Sequence, residues 1–550
     1  MGRGAFYVGV LSLFMIVNTS GSWAEDPDLL YVFESPNPEI GGWFGFPANP
    51  VGDVNNDGYD DIGISGLLEN IGSLANAGRA YIFSGATGGL LYSHVSPNPQ
   101  NNGEFGFVEG IGDVNDDDYD DYAITGWRET VGSLFNAGRV YVYSGVTGDT
   151  LYSFESPNPQ SNGRFGSDVG SAGDWNDDGC PDILIGAFWE DSTDRNGRVY
   201  VFSGLNGACL DTLTSPNAAT WGKFGFPTVN CGDVNGDGHD DILVGAKDEH
   251  PGASPDCSGM AYVFSGGTGD LIYQLSPKAA VEDGYFGYGA SGAGDVNGDG
   301  YADILIGEPS GTGTTGTPNV GRAYLYSGLT GELLHAFQAQ SFFPGNYYGG
   351  YVSGCSDWDG DGYDDIIITE QEATVTYQRQ GRTYIYSGAT YQLIYTIDSV
   401  WPAQDGLFGV WVSNVSDMNG DGFPDVAISS LRENGGAEDA GRVYVFSIMQ
   451  LADSMVGGEL TLNWSTWPSA TEYWVYGADN NPYFVPGVTP PYQYRVAVIP
   501  AGTTTWSTTE GICDPDHDWS FIVAGAGTGF TDTPHTSRVG ECEYGITIGP

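Results

Sequence analysis

Seven times the sequence places oxygen-bearing side chains at alternate positions of a short turn that ends in aspartate. In the first turn Asp53, Asn55, Asp57 and Asp61 stand at positions 1, 3, 5 and 9, and the main-chain carbonyl of Tyr59 is available at position 7. An all-oxygen set suits calcium, a hard cation that takes six to eight oxygens at flexible distances. Magnesium demands a tighter octahedron, and zinc prefers nitrogen and sulfur. Gly58 permits the sharp turn that brings these groups together.

Six further turns repeat the pattern: Asp113, Asn115, Asp117, Asp121 with the carbonyl of Tyr119; Asp174, Asn176, Asp178, Asp182 with Cys180; Asp233, Asn235, Asp237, Asp241 with His239; Asp295, Asn297, Asp299, Asp303 with Tyr301; Asp357, Asp359, Asp361, Asp365 with Tyr363; and Asp417, Asn419, Asp421, Asp425 with Phe423. Calcium, up to seven ions, is the cofactor these residues predict. A single acidic turn reads as a solvated loop, but solvation demands neither the spacing nor the glycine, and here both recur in register. Asp118 stands where the other six turns have glycine, so the second site is expected to be the weakest. An EF-hand would need flanking helices and a glutamate at position 12, whereas each turn here runs into β-type sequence such as Asp182-Ile183-Leu184-Ile185. Without metal the crowded carboxylates repel one another, so binding is expected to couple to folding.

The turns begin 60, 61, 59, 62, 62 and 60 residues apart, and the sequence around them repeats with the same period. An aromatic-glycine pair (Phe44-Gly45, Phe105-Gly106, Phe165-Gly166) precedes each turn, and a short apolar run follows. Then comes Gly-Arg-x-Tyr-x-Phe/Tyr-Ser-Gly, as at Gly78 to Gly85, and a Thr-Gly turn leads into a last alternating stretch such as Thr150 to Phe154. Each unit therefore predicts four short strands, A to D, with the acidic turn between A and B. The seventh unit lacks its D strand, and Leu29 to Asn37 matches Thr150 to Asn158. The expected fold is all-β: a seven-bladed β-propeller closed by the N-terminal strand, followed by a small β-sandwich.

The stretch from Phe165-Gly166 through Asp174-Trp175-Asn176-Asp177-Asp178-Gly179 to Gly186-Ala187 resembles the FG-GAP repeat of integrin α chains and related secreted proteins, and the likeness covers residues 28 to 447. It implies calcium loops on the lower face of a seven-bladed propeller and adhesion or matrix-ligand binding on the opposite face. Integrins usually carry calcium in a subset of blades, whereas this chain has the ligands in all seven. Residues 453–547 resemble a fibronectin type III or similar sandwich, with first strands around Glu459 to Trp464 and Thr471 to Tyr476.

The termini and composition fit an exported binder. Residues 1–24 read as a secretory signal peptide, leaving a propeller over 25–450. The net charge of −54, from 71 acidic against 17 basic residues, excludes nucleic acid and anionic membrane surfaces as direct partners. Seven cysteines are too few for a disulfide scaffold; Cys513 with Cys542, and less so Cys231 with Cys257, are candidate pairs. The six histidines share no repeat position and no nucleophile-elbow motif occurs, so no catalytic residue is assigned. Arg79, Arg139, Arg198, Arg322, Arg382 and Arg442 share one strand position, which points to a structural task. Contact with an extracellular protein or carbohydrate is expected from the B–C and D–A loops, where Trp43, Trp127, Trp189, Trp221 and Trp401 lie, although packing between blades would also explain these rings. The chain is expected to be secreted or surface-associated. An aromatic and carboxylate cluster at the channel mouth would favour an extracellular polysaccharide hydrolase or lyase instead, and a bland upper face a purely structural protein.

Overall fold

The computed structural model describes residues 27–447 apart from 192–194, 218–220, 251–256, 279, 314–316, 318, 340–344 and 421–422, and beyond 447 it describes the backbone of seven strands. Residues Leu29–Ser447 form one compact unit of seven antiparallel four-stranded sheets. Strand β1 (Asp28–Phe33) comes first. Blade 1 follows as β2 (Phe44–Gly52), β3 (Asp61–Gly66), β4 (Arg79–Phe83) and β5 (Leu90–Val95), hydrogen-bonded in that order. Blades 2 to 6 repeat this order. Blade 7 takes its A, B and C strands from Phe408–Asn414, Val426–Ser430 and Arg442–Ser447, and β1 pairs with the last of these as its D strand.

Burial follows strand order. Strand β3 is buried along its length, whereas β5 alternates between exposed and half-buried residues, as a strand with one wet face should. The apolar cores lie between blades: Phe33, Val415, Met418, Val443 and Val445 of blade 7 pack with Phe44, Ile62, Ile64, Tyr81 and Phe83 of blade 1. Blades 2 and 3 build the same kind of cluster around Val140, Phe154, Phe165 and Ile185. The ring-closing seam is thus made like the others.

The aromatic-glycine pair and the Gly-Arg phrase are two halves of one contact between neighbouring blades. The Phe105 N–H donates to Ala77 O at 3.0 Å and the Phe165 N–H to Ala137 O at 2.9 Å; at the seam the Phe44 N–H donates to Ala440 O at 2.9 Å. Gly78 and Gly441 sit at φ +84° and +95°, and a Cβ on either would run into the carbonyl oxygen of the facing phenylalanine. Only glycine meets both conditions.

A second tie between blades involves residues the sequence reading passed over. Every blade carries a buried glutamate beyond or at the end of its B strand: Glu69, Glu129, Glu190, Glu249 and Glu433 in the B–C turn, and Glu308 and Glu370 as the last residue of the strand. The strand-C tyrosine of the same blade donates to it, as in Tyr81 to Glu69 at 2.5 Å, Tyr141 to Glu129 at 2.9 Å and Tyr384 to Glu370 at 2.6 Å. A serine after the D strand of the preceding blade donates too: Ser35 to Glu69 at 2.5 Å, and likewise Ser96 to Glu129 and Ser399 to Glu433. The repeated arginine flanks this group, with Arg79 Nε 3.5 Å from Glu69. Such buried carboxylates persist because each has donors.

Beyond Ser447 the described strands form a three-stranded sheet (Ala452–Val456, Glu459–Asn463, Thr505–Thr508) and a four-stranded sheet containing Gln493–Pro500, Glu472–Asp479, Trp519–Ala526 and His535–Glu541. Cys513 and Cys542 lie outside the described residues. The expected Cys231–Cys257 pair is corrected: the Cys231 thiol is unbridged and buried, and it donates to Asp241 O at 3.3 Å.

Phe33 is 4% exposed in the closing seam, so Phe33→Ala is expected to cost about 3–5 kcal/mol. Denaturant unfolding measures this, and a loss below about 1 kcal/mol would show that β1 does not hold the ring.

Candidate metal centres

The fully described acidic turns are built in three tiers. At position 1, Asp53 accepts the N–H groups of Asp57 at 3.0 Å and Gly58 at 2.8 Å, which folds the turn over its own carboxylate. At position 5, Asp57 accepts the Tyr59 N–H at 3.2 Å. Asp174, Asp295 and Asp357 repeat the first contact with Asp178, Asp299 and Asp361 at 2.9 to 3.0 Å.

The position-9 aspartate is the deepest. Asp61 is fully buried; it accepts the Val54 N–H at 3.2 Å and, from the end of β4, the Gly85 N–H at 2.9 Å. Asp121, Asp182, Asp241, Asp303 and Asp365 accept Gly145, Gly204, Gly266, Gly328 and Gly388 in the same way at 2.8 to 3.0 Å. This one side chain fastens the acidic turn to the C–D turn of its blade. The position-3 asparagine leans on it, with Asn55 Nδ2 2.9 Å from Asp61.

Burial, reinforced by the neighbouring aspartates, raises these carboxyls far above the usual range: to about 7 for Asp61 and Asp121, about 6 for Asp182, Asp241 and Asp303, and about 8 for Asp365. Asp359 rises to about 6 for the same reasons. In the sixth turn carboxylate oxygens of Asp357, Asp359 and Asp361 lie within 4.8 Å of one another. In the seventh, Asn419 Oδ1 is buried without a hydrogen-bond donor among the described residues. Crowded desolvated oxygens and an orphaned acceptor are what a hard cation would satisfy. Asp421 lies outside the described residues.

The turns also touch their neighbours. Asp120, at position 8 of the second turn, accepts the Asp53 N–H of the first at 2.9 Å, and Asp364 accepts the Asp295 N–H at 2.7 Å. His239, whose carbonyl is the position-7 candidate, places Nδ1 3.4 Å from Asp174 O of the preceding turn. Asp118 has φ +68°, whereas the corresponding Gly58, Gly238 and Gly362 lie at +91° to +95°. The second turn keeps the left-handed conformation without its glycine.

At the opposite end of the blades Trp401 packs on Arg442, whose Cζ is 4.7 Å from the ring, and Trp43 meets Phe46 edge-on at 6.4 Å. Trp221 is 50% exposed. The A strands enclose a cavity of about 420 Å³ whose lining includes Glu109, Asp168, Tyr288, Tyr351 and Trp411. Phe46, Phe107, Tyr351 and Trp411 contact one another at centroid distances of 5.2 to 6.2 Å. Asn49 donates to Glu109 and accepts the Trp411 indole N–H at 2.7 Å, while Asp168 accepts the Thr228 N–H at 2.8 Å. Desolvation raises the Asp168 carboxyl to about 7 and the Glu109 carboxyl well above its ordinary value. The sequence reading did not single out these two carboxylates. Glu109 and Asn49 fall at equivalent A-strand positions, each four residues before the first aspartate of its acidic turn, where the blades share no common residue type.

The fold and the turns define a seven-bladed propeller that carries FG-GAP repeats. The FG-GAP repeat model matches residues 229–264, 286–326 and 408–446, and an FG-GAP-like repeat model matches 174–244. The relatives are integrin α chains. Human integrin alpha-IIb is 29% identical over 274 residues, 45% of this chain and 25% of that protein. Integrin alpha-4 of Xenopus laevis is 28% identical over 180 residues, 31% of this chain and 17% of its own length. Mouse integrin alpha-E is 35% identical over 141 residues, 24% and 12%. The chain thus spans a quarter or less of these relatives. Among the described residues no helix is long and apolar enough to cross a membrane.

A carboxyl whose pKa rises on folding binds more protons in the folded chain than in the unfolded one, so stability falls as pH climbs from about 4 through the raised value. Chelator-treated protein is therefore expected to lose unfolding temperature steadily between pH 5 and pH 8. A metal-free profile that is flat or rises over this range would contradict the burial of the position-9 aspartates.

Proposed function

We propose that the chain is an extracellular calcium-loaded propeller that serves as an adhesion or interaction module, holding a protein or carbohydrate on the face away from the acidic turns. The observation that carries the metal assignment is the position-9 aspartate, buried and pushed toward protonation in six blades beside two or three further oxygens. Asp53, Asn55, Asp57 and Asp61, with the Tyr59 carbonyl, would hold one ion, and their counterparts the others. The ion would supply the positive charge that lets these carboxylates stay ionised at neutral pH and so fix the turn. The second site, with Asp118, is the weakest. The integrin α relatives support binding rather than catalysis, and residues 1–24 and 453–547 are read as an export signal and an accessory β-sandwich.

Metal analysis of the purified, calcium-equilibrated chain is expected to find about seven ions, with one fewer in Asp357→Ala. No bound metal would overturn the assignment. Arrays of matrix proteins and glycans probed with calcium or with chelator test the interaction reading: retention on some member in calcium alone is expected, and retention on none would count against it.

The channel favours a second reading, since Glu109 and Asp168 beside aromatic rings are the elements of an acid–base pair acting on polysaccharide. Their partners in the wall speak for a structural network instead. Release of reducing sugar from polysaccharide, abolished by Glu109→Gln, would establish catalysis.

A further inference from the structure

We propose that the upper face of blades 2 to 4 is a docking surface for an acidic segment of a protein partner, a specification that rests on the interaction reading above. The B–C and D–A loops of these blades stack guanidinium groups and indoles alternately. Arg164 Cζ lies 4.7 Å from the Trp127 ring and 5.0 Å from the Trp189 ring. Arg195 Cζ lies 5.4 Å from Trp189 and 4.3 Å from Trp221. Two tryptophans thus clamp each arginine, and the row continues across the seams between blades.

Charge distinguishes this arc from the rest of the molecule. The whole sequence has 17 lysines and arginines, and Arg128, Arg164, Arg195, Lys223 and Lys247 all fall here. Three of them are neutralised locally: Arg128 by Glu104, and Lys223 and Lys247 by Asp248 at 2.6 and 2.8 Å. Arg195 makes no ion pair among the described residues, and Arg164 feels the charge of Glu104 without a salt bridge to it, although the chain is crowded with carboxylates. Arg164 is 7% exposed, and its Nε and Nη1 reach no acceptor.

The chemistry that completes such a row is a carboxylate. A guanidinium held over indole rings has N–H groups left to donate, and a guanidinium takes a carboxylate in bidentate fashion. Because the rings already fix the Arg195 side chain, little further entropy is lost when a partner binds. Trp221, half exposed at the end of the row, adds apolar area, and tryptophan with arginine is the composition of protein-binding hot spots. At physiological salt a charge is screened beyond about 8 Å, so the acidic remainder of the molecule does not cancel the arc.

The test uses the full chain in calcium buffer and a fluorescent deca-glutamate peptide, with a glycine-serine peptide as control and a polygalacturonate oligosaccharide as the competing ligand class. Binding of the glutamate peptide is expected, weakened at least tenfold by Arg195→Gln and by Trp189→Ala, whereas Arg379→Gln on blade 6 leaves it unchanged. Arg195→Gln decides the matter if Trp189→Ala unfolds. Equal binding by wild type and Arg195→Gln would overturn the proposal. Binding of polygalacturonate and not of peptide would also overturn it, placing carbohydrate on this face while leaving the interaction reading intact. If neither probe binds, the proposal fails, and the interaction reading then stands or falls on the arrays alone.

Discussion

A carboxylate buried at the same end of every blade is the constraint on which the rest of the structure depends. The position-9 aspartate is fully buried in all seven blades, and in blades 1 to 6 it accepts a backbone N–H from the C–D turn as well as from its own turn. Ionised, it satisfies those donors but pays for desolvation and for the other carboxylates nearby. Protonated, it loses acceptor strength. A divalent cation removes the conflict by pairing with the whole cluster at once, so the blade skeleton and the proposed metal site are one arrangement rather than a fold with ions added.

The other half of the architecture joins blade to blade. The phenylalanine of one aromatic-glycine pair binds back to the loop before the Gly-Arg glycine of the preceding blade, and the buried glutamates gather a tyrosine from their own blade and, at Glu69, Glu129 and Glu433, a serine from the one before. These ties run on the side away from the acidic turns, while Asp120 and Asp364 link adjacent turns on the other. Where both kinds of tie are present, as between blades 1 and 2 and between 5 and 6, a blade is held to its neighbour at both ends. The closing strand joins through the same contacts: Ser35 reaches Glu69, and Arg442 meets Glu34 at 2.7 Å.

Much of this was legible in the sequence because repetition amplifies weak signals. One Asp-x-Asn-x-Asp-Gly turn is ambiguous and seven in register are not; the match of Leu29 to Asn37 with Thr150 to Asn158 revealed the circular closure before any pairing was known. The glutamate tie escaped because a lone charged residue in a variable loop reads as surface: Glu69 follows Leu67-Leu68 and Glu190 follows Phe188-Trp189, so only the period betrays them. Glu109 and Asp168 escaped for the opposite reason, since each occurs in a single blade and the channel exists only once the ring is closed. Trp127, Trp189 and Trp221 read as loop aromatics from the sequence. That arginines from adjacent blades lie between them depends on the spacing across seams, which no local pattern encodes.

The most direct measurement is thermal unfolding of the mature chain at pH 7.5 in excess calcium and after exhaustive chelation. A site filled at a hundredfold excess over its Kd contributes about 2.7 kcal/mol, so seven sites should raise the unfolding temperature by tens of degrees, in a single transition if the blades act together. Coincident unfolding curves with and without calcium would contradict the coupling of metal to fold and return the acidic turns to the status of solvated loops.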